Sequence, residues 1–489
     1  MIIATKPAFM PALAEIFVVM GAVKVLFLGL LSKKNVLKRT FNYAIVVLLS
    51  ALIALCVQPR GMQITFNGLF LSDAFTILIK IIVLFSGVIT LIVTRLTVSY
   101  EGLGHFEYPA LILFSLAGMM MMISAHDLIS LFMGLELQSL SLYVLVGMRR
   151  HNSETSEAAL KYFLLGALST GILLYGSSLV YGFTGLTDFE MLERFFIRNS
   201  FSQLSIGPII GVTLILVALG FKVATAPFHL WIPDVYQGTS TSLTMFLATA
   251  PKIAGIAVLM KVLMSPFNGL SYIWQPLLMI LSILSMGLGA FAALTQTNIK
   301  RFIAYSSVGH IGFLSVGILI ANAIGLRATL VYSVIYIFSI LLFFSSLLYL
   351  QRQGKTIETL NDLKGLRHRH PGIAFLLSFT LFSLAGIPPL PGFIAKIIIF
   401  RAAANSGYYV LCSIIVIYSL ICAGYYLLVL KTILMDQVEN QVVRYSSHKR
   451  DLITALAILF LIILLILCFI RPDFLIDAAQ QAVFGLMYL

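Results

Sequence analysis

Four ionisable residues stand inside otherwise apolar stretches of this chain: Glu136 in LFMGLELQSL, Lys222 in LVALGFKVATAPFHLW, Lys252 in FLATAPKIAGIAVL and Lys396 in PPLPGFIAKIIIF. At the centre of a bilayer each costs about 2.5–3.5 kcal/mol, so four left alone forfeit on the order of 10 kcal/mol. One acid and three bases cannot neutralise one another pairwise. The lysines left over need water, or must give up a proton. A low-dielectric setting disfavours the charged form of any ionisable group, and a group that can be held in either state is what a proton relay requires. The plainer alternative is structural, with buried Lys–Glu pairs gluing helices together.

Helix breaks fall beside these charges. Lys222 is followed by Pro227 and Pro233, and Lys396 follows the run Gly386-Ile387-Pro388-Pro389-Leu390-Pro391-Gly392. Proline has no amide hydrogen and clashes with the preceding turn. The backbone groups it frees at membrane depth are tolerated only where protein or water meets them. Broken helices beside charge mark ion transporters, whereas a proline alone reads equally well as a kink. Further candidates for a relay or water file are His310, next to Ser306 and Ser307 in AYSSVGHIGF, and His229 and Asp234 in APFHLWIPDVYQG, near the basic-side surface. Histidine shuttles protons near neutral pH. Lys161 is included with them, although it and Lys261 lie nearer span ends, where a lysine can snorkel. Glu15, Lys24 and Lys80 are read as peripheral or as contacts to a partner. The Met run 119–122 is read as lipid-facing or helix-packing surface.

The elements that carry these residues must be membrane helices. Of the 489 residues, 60% are hydrophobic and only 10% are charged, against roughly 25% charged in soluble proteins. An ordinary soluble globule, a disordered chain and a coiled coil are thereby excluded. Crossing ~30 Å of hydrocarbon takes about 20 apolar residues. Long, continuous, Leu/Ile/Phe-rich runs give helical spans at about 9–31, 41–57, 73–98, 108–124, 127–148, 157–183, 207–226, 242–263, 275–295, 302–323, 325–350, 372–401, 406–430 and 452–470. Fourteen is the expected count. The first span is not a signal peptide, since Glu15 interrupts it and no small-residue cleavage site follows. The hydrophilic stretches 351–371 and 431–451 are too short to form a soluble core. Cys56, Cys412, Cys422 and Cys468 lie in apolar runs without metal-ligand spacing, so no metal or disulfide is expected. No nucleotide-binding motif is present, and no cofactor site is expected in the chain itself.

The net charge of +13 comes from basic loops and not from a nucleic-acid surface. Loops after the odd-numbered spans carry Lys33, Lys34, Lys38, Arg39, Arg149, Arg150, Lys300, Arg301, Arg352, Lys355, Lys364, Arg367, Arg369, Lys431, Arg444, Lys449 and Arg450. The opposite side carries Lys6, Arg60, Arg194, Arg198 and Arg471. The first side is therefore cytoplasm or mitochondrial matrix, with both termini on the other.

The stretches FKVATAPFHLWIPDVYQGTSTSLTMFLATAPKIAG and TQTNIKRFIAYSSVGHIGF resemble the antiporter-like subunits of respiratory complex I. LELQSLSLYVLVG and SEAALKYFLLGALSTGILLYGSSLVYGFTG resemble more narrowly the subunit N branch, called NADH dehydrogenase subunit 2 in mitochondria. The resemblance covers nearly the whole chain and is nearest the mitochondrial type. One departure is Gly238-Thr239-Ser240-Thr241, where the family usually has Gly-Ser/Ala-Pro-Thr. The resemblance implies an all-α polytopic fold of two inverted five-helix repeats, 108–263 and 275–430, with spans 7 and 12 broken. Three helices precede them (1–107), and a loop and last helix follow (431–489). It also implies that Glu136, Lys222, Lys252 and Lys396 are the relay of a redox-driven proton pump, with Glu136 paired to Lys222 and His310 bridging Lys252 to Lys396. NAD, FMN, Fe–S clusters and ubiquinone would belong to partner subunits. The partners implied are a neighbouring antiporter-like subunit, small membrane subunits and phospholipids. The implied location is the mitochondrial inner membrane or, as the alternative, a bacterial cytoplasmic membrane. A subunit of a cation/proton antiporter is the competing function, and a purely structural scaffold is a third.

Overall fold

The computed structural model describes residues 8–32, 35–199, 205–352, 357–436, 445–447 and 452–487. Lys6, Lys33, Lys34, Lys355, Arg444, Lys449 and Arg450, used above for orientation, lie outside the described residues. The first region comprises α1 (Leu13–Leu31), α2 (Val36–Val57), the hairpin β1 (Gln63–Thr65) and β2 (Phe70–Ser72), and α3 (Ala74–Glu101). There follow α4 (Glu107–Ser124), α5 (Leu128–Val146), α6 (Ser153–Thr184), α7 (Phe189–Arg198), α8 (Ile206–Val223), α9 (Trp231–Gly238), α10 (Thr241–Leu247) and α11 (Ala250–Met264). Next come α12 (Ser271–Leu294), α13 (Ile299–Leu319), α14 (Ala323–Tyr349), β3 (Leu350–Arg352), α15 (Leu366–Arg369), α16 (Pro371–Ala385), α17 (Pro391–Asn405) and α18 (Tyr409–Leu434). The chain closes with β4 (Tyr445–Ser447), α19 (Leu452–Ile470) and α20 (Asp473–Met487).

Among the described residues, thirteen helical stretches are long and apolar enough to cross a membrane. The fourteenth expected span, 372–401, is the broken pair α16–α17. Span 7 ends as α8 at Val223, where Ala224 turns left-handed (φ 65°), and the chain resumes as α9. Span 8 was expected as one helix, but it divides into α10 and α11 around Ala248 and Thr249, with Pro251 in the first turn of α11. Helices α7 and α20 lie beyond the expected spans.

Side chains fix the helix starts. Asp73, Asp127, Asn152, Asn298 and Asn322 each accept a hydrogen bond from a first-turn amide of the helix that follows, meeting donors that a helix cannot satisfy itself. The loops sort by end. Phe70 bridges Ala125, Asp127 bridges Asp188, and Asn322 Nδ2 donates to Ser406 Oγ at 3.2 Å, so loops after even-numbered spans meet one another. Thr155 Oγ1 donates to the Gly238 carbonyl at 2.7 Å, Lys300 Nζ to the Gln237 carbonyl at 2.6 Å, and β3 pairs antiparallel with β4. Loops after odd-numbered spans therefore gather at the other end, as fourteen alternating crossings require.

One arrangement occurs twice. The cap Asp127 bridges Asp188 beyond α6, and the cap Asn298 bridges Thr359 beyond α14. The same two amide bonds flank each bridge: Leu128 N to Thr187 O and Phe189 N to His126 O, against Ile299 N to Glu358 O and Leu360 N to Thr297 O. A constant shift of 171 positions relates the two sets. It also carries Gly118, which lies against Gly134 and Gln138, onto Gly289, which lies against Tyr305 and Gly309. At both glycines a Cβ would come within 3 Å of the facing backbone, so α4–α5 and α12–α13 cross at the same residue level. The two bridges sit at opposite ends of the molecule.

Candidate functional site

The lysines lie where helices stop. Lys222 is in the last turn of α8, the negative end of a helix dipole and a favourable place for a cation. The amide freed just beyond the break, Ala226 N, donates to Ser285 Oγ of α12 at 2.8 Å. At the second break Gly386 takes φ 78°, and Gly392 N donates to Ser383 Oγ at 3.3 Å. Lys396 Nζ reaches back from α17 to the Ala385 carbonyl at 2.7 Å, so the lysine itself satisfies the exposed end of α16. Its ammonium also stands 5.4 Å from the centre of the Phe313 ring. Lys252 occupies the first turn of α11 and donates to Ser307 Oγ at 2.5 Å.

Lys252 and Lys396 are buried, whereas Lys222 and Glu136 are half-buried. The expected Glu136–Lys222 ion pair is not formed. Lys222 Nζ instead donates to Ser139 Oγ at 2.8 Å, one turn along α5 from Glu136, which stays within electrostatic reach. A lysine stem leaving the end of α8 meets α5 at the level of Ser139, and the hydroxyl is the nearer acceptor.

His310 is buried between two phenols, with Nδ1 2.8 Å from Tyr332 Oη and Nε2 3.0 Å from Tyr426 Oη. Tyr336 lies 5.0 Å away, centre to centre. A narrow cavity of about 10 Å³ lies beside the imidazole, lined by Tyr336, Ser339, Ser383 and Gly392 and reaching Ala395, the residue before Lys396. Ser307, which holds Lys252, is one turn from His310 on α13. Lys252, Ser307, His310, the cavity and Lys396 thus follow one another through the second half. Among the described residues no hydrogen bond joins the Lys222–Ser139 pair to the Lys252–Ser307 pair. There α8 packs directly on α11, with Gly255 against Val223.

The remaining candidates separate from this row. Lys161 and Asp234 bind each other at 2.7 Å; Lys161 also takes Glu157, and Asp234 takes Arg301 Nη1 at 2.7 Å. Burial opposes ionisation of Asp234, but the bonds from Lys161 and Arg301 outweigh it and hold its carboxyl below the ordinary carboxylate range. This network lines a polar recess of about 210 Å³ at the basic end. His229 is buried, not at the surface, with its ring 6.3 Å from that of Tyr305.

Sequence reasoning missed Ser139, Tyr332, Tyr336 and Tyr426, and named Ser307 only as a neighbour of His310, not as the acceptor of Lys252. Their one signal is helical spacing, three residues from Glu136 or His310 for the serines. Two other readings are corrected. Glu15 and Lys80 are not peripheral but form a buried ion pair at 2.5 Å, with the ammonium also 4.8 Å from the centre of the Phe70 ring. Lys261 does not snorkel; it is buried and donates to the Ile123 carbonyl at 3.1 Å. Lys24 is exposed, over Tyr43.

Comparison with known proteins adds the following. The family described as NADH:quinone oxidoreductase/Mrp antiporter, TM, matches residues 125–422. NADH-quinone oxidoreductase subunit N of Rhodospirillum rubrum is 42% identical over 482 residues, covering 98% of this chain and 97% of that protein. A chain of respiratory complex I from Thermus thermophilus superposes with a TM-score of 0.80 at 29% identity, over 96% of this chain and 99% of that one. A chain of the Mrp complex from Dietzia has the same fold, with a TM-score of 0.81 at 21% identity over 97% and 98% of the two chains.

Proposed function

Because the chain belongs to the family of NADH-quinone oxidoreductase subunit N, antiporter-like subunits of the complex I membrane arm, we propose that it carries protons across the membrane through Glu136, Lys222, Lys252, His310 and Lys396. Electron transfer from NADH to quinone, with NAD, FMN, Fe–S clusters and ubiquinone, takes place in partner subunits. A second antiporter-like subunit and small membrane subunits are the neighbours this role requires. The two bridges at Asp127 and Asn298 support a division into five-helix units at 108–263 and 275–430. Bacterial relatives favour a bacterial cytoplasmic membrane over the mitochondrial inner membrane that the motifs suggested.

The observation that carries the proposal is the row from Lys252 through Ser307 and His310 to the cavity beside Lys396. An ammonium has three donors, yet the described residues give Lys222, Lys252 and Lys396 one hydrogen-bond acceptor each. Such lysines are held loosely in the charged state. Moving one charge against 100 mV costs about 2.3 kcal/mol, within the roughly 1.5–3 kcal/mol of one hydrogen bond to a charged group. Making or breaking a single such bond is enough to drive a proton one step.

NADH-driven proton uptake by the assembled, reconstituted complex tests the assignment. Glu136→Gln and Lys222→Ala are each expected to depress pumping. If both variants assemble and keep normal pumping and coupled turnover, the relay assignment fails. The antiporter reading is weaker because the Mrp likeness, at 21% identity, shows a shared fold alone. Co-purification with quinone-reducing subunits distinguishes the two.

A further inference from the structure

Glu101 is a buried carboxyl that the lysine row does not use. It ends α3 at the basic end and is 3% exposed. Its two oxygens are engaged separately: Oε1 accepts from Ser242 N of α10 at 3.2 Å, and Oε2 from Thr97 Oγ1 at 2.9 Å. Lys300 of α13, also buried, lies within electrostatic reach of it, but no ion pair joins them among the described residues. The ammonium is held instead by the Gln237 and Thr239 carbonyls, at 2.6 and 2.7 Å. Burial disfavours the charged form of a carboxyl and a nearby ammonium favours it, so Glu101 can be held in either state. Two buried hydroxyl oxygens beside it, Tyr108 Oη and Ser242 Oγ, have no hydrogen-bond partner among the described residues. A hydroxyl both donates and accepts, so each can pass a proton on.

The surroundings of Glu101 connect outward and inward. Outward lies the polar recess of Lys161, Asp234 and Arg301, which opens beside the exposed Glu154 and Glu157. Gln237 is part of its wall, and its carbonyl is one of the two that hold Lys300. Inward, Thr239, Ser242 and Thr244 are all buried, and Thr239 Oγ1 and Thr244 Oγ1 stand 2.9 Å apart. Both threonines donate to the Tyr236 carbonyl. Tyr236 presents its ring to Lys252 Nζ, 5.8 Å from the centre, and its own Oη is buried without a partner among the described residues. A run of hydroxyls thus separates Glu101 from the first member of the row.

We propose that Glu101 is the group through which protons enter the row from the basic side, taken from the polar recess and passed by Ser242, Thr244 and Tyr236 to Lys252. This rests on the proton-carrying role proposed above. A hydrated proton in the recess passes to a Glu101 oxygen, forming an O–H bond. That bond breaks as the hydroxyls hand a proton on to the Lys252 amine, which becomes an ammonium. Lys300, fixed on its two carbonyls, stays charged and draws Glu101 back to carboxylate for the next proton. Because Glu101 belongs to α3, the three N-terminal helices supply part of the path and not only a flank.

The competing reading is a tie, in which Glu101 merely fastens α3 to α10. NADH-driven proton uptake by the assembled, reconstituted complex, with its thermal melting measured alongside, separates the two. Glu101→Gln keeps the shape and one acceptor oxygen but cannot take up a proton. It is expected to melt like wild type and to slow pumping roughly tenfold or more, as loss of a positioned proton-transfer group does. Glu101→Asp, which keeps the carboxyl, is expected to restore most of the rate. Normal pumping in Glu101→Gln overturns the proposal. So does an equal loss in the Gln and Asp variants together with lower melting, which marks a tie. Glu136→Gln and Lys222→Ala are measured beside them. If those two depress pumping and Glu101→Gln does not, the inlet fails and the relay stands; if none of the three does, the relay fails and the inlet with it.

Discussion

Ser307 owes its role to where its own helix leaves its lone pairs. Its hydroxyl hydrogen is engaged by the Ala304 carbonyl at 2.6 Å, so the oxygen is left to accept from Lys252 at 2.5 Å. Ser307→Ala removes that acceptor while changing little volume, and a lost hydrogen bond to a charged group is worth about 1.5–3 kcal/mol. The expected outcome is an assembled complex with NADH-driven pumping reduced roughly tenfold or more, since each 1.36 kcal/mol is tenfold in rate. Normal pumping rates in the variant would remove Ser307 from the row. Gly386 is constrained in another way. Its φ of 78° is left-handed, and a Cβ there would stand 2.7 Å from Lys396 Cδ. Left-handed backbone costs a non-glycine residue about 1–2 kcal/mol, and the lysine would have to leave the Ala385 carbonyl as well. Gly386→Ala should therefore lower the thermal stability of the subunit and impair pumping together; a variant with wild-type melting and wild-type pumping would contradict this.

At the scale of helices, the Glu15–Lys80 pair joins α1 to α3 in the region ahead of the repeated arrangement. Removing one member of a buried pair leaves an uncompensated charge and costs about 3–5 kcal/mol, whereas replacing both by apolar residues is often neutral or stabilising. Glu15→Gln alone should thus reduce the yield of assembled complex, and the double substitution Glu15→Met with Lys80→Met should recover it. Equal loss in the single and double variants would mean that the charges act otherwise than as a pair. This pair also shows where sequence reading stops. Spans, their alternation and the breaks after Lys222 and before Lys396 were legible, because hydrophobic length and proline act locally. The partners of Glu15 and Lys80 were not, since the 64 residues between them say nothing about which helices become neighbours. The division of span 8 was hidden because Pro251 suits the first turn of a new helix as readily as a kink. Glu136 was the partner expected for Lys222, although helix register delivers it to Ser139.

Over the whole molecule the repeated arrangement is the feature least visible in the residues. The 171-position shift places Glu136 on Ser307, Ser139 on His310 and Lys161 on Tyr332. Each pair differs in chemistry, so a comparison of residue types passes over them, while the backbone bridges keep their spacing. The acceptors of Lys222 and Lys252, Ser139 and Ser307, come from α5 and α13, the helices that the shift superposes. The two halves thus offer the same wall of the site to different lysines. Phenols and imidazole stand in the second half where the first has serine and lysine.

The short β3–β4 ladder acts in the order of synthesis. The chain of α15 to α18 separates its strands, so β3 emerges at the basic side before the broken helix has been threaded, and its edge stays unpaired. Only after α18 has brought the chain back to that side can β4 meet it. The ladder is then a latch that closes on spans 12 and 13 once both are in place, and α19 is laid down against a finished surface.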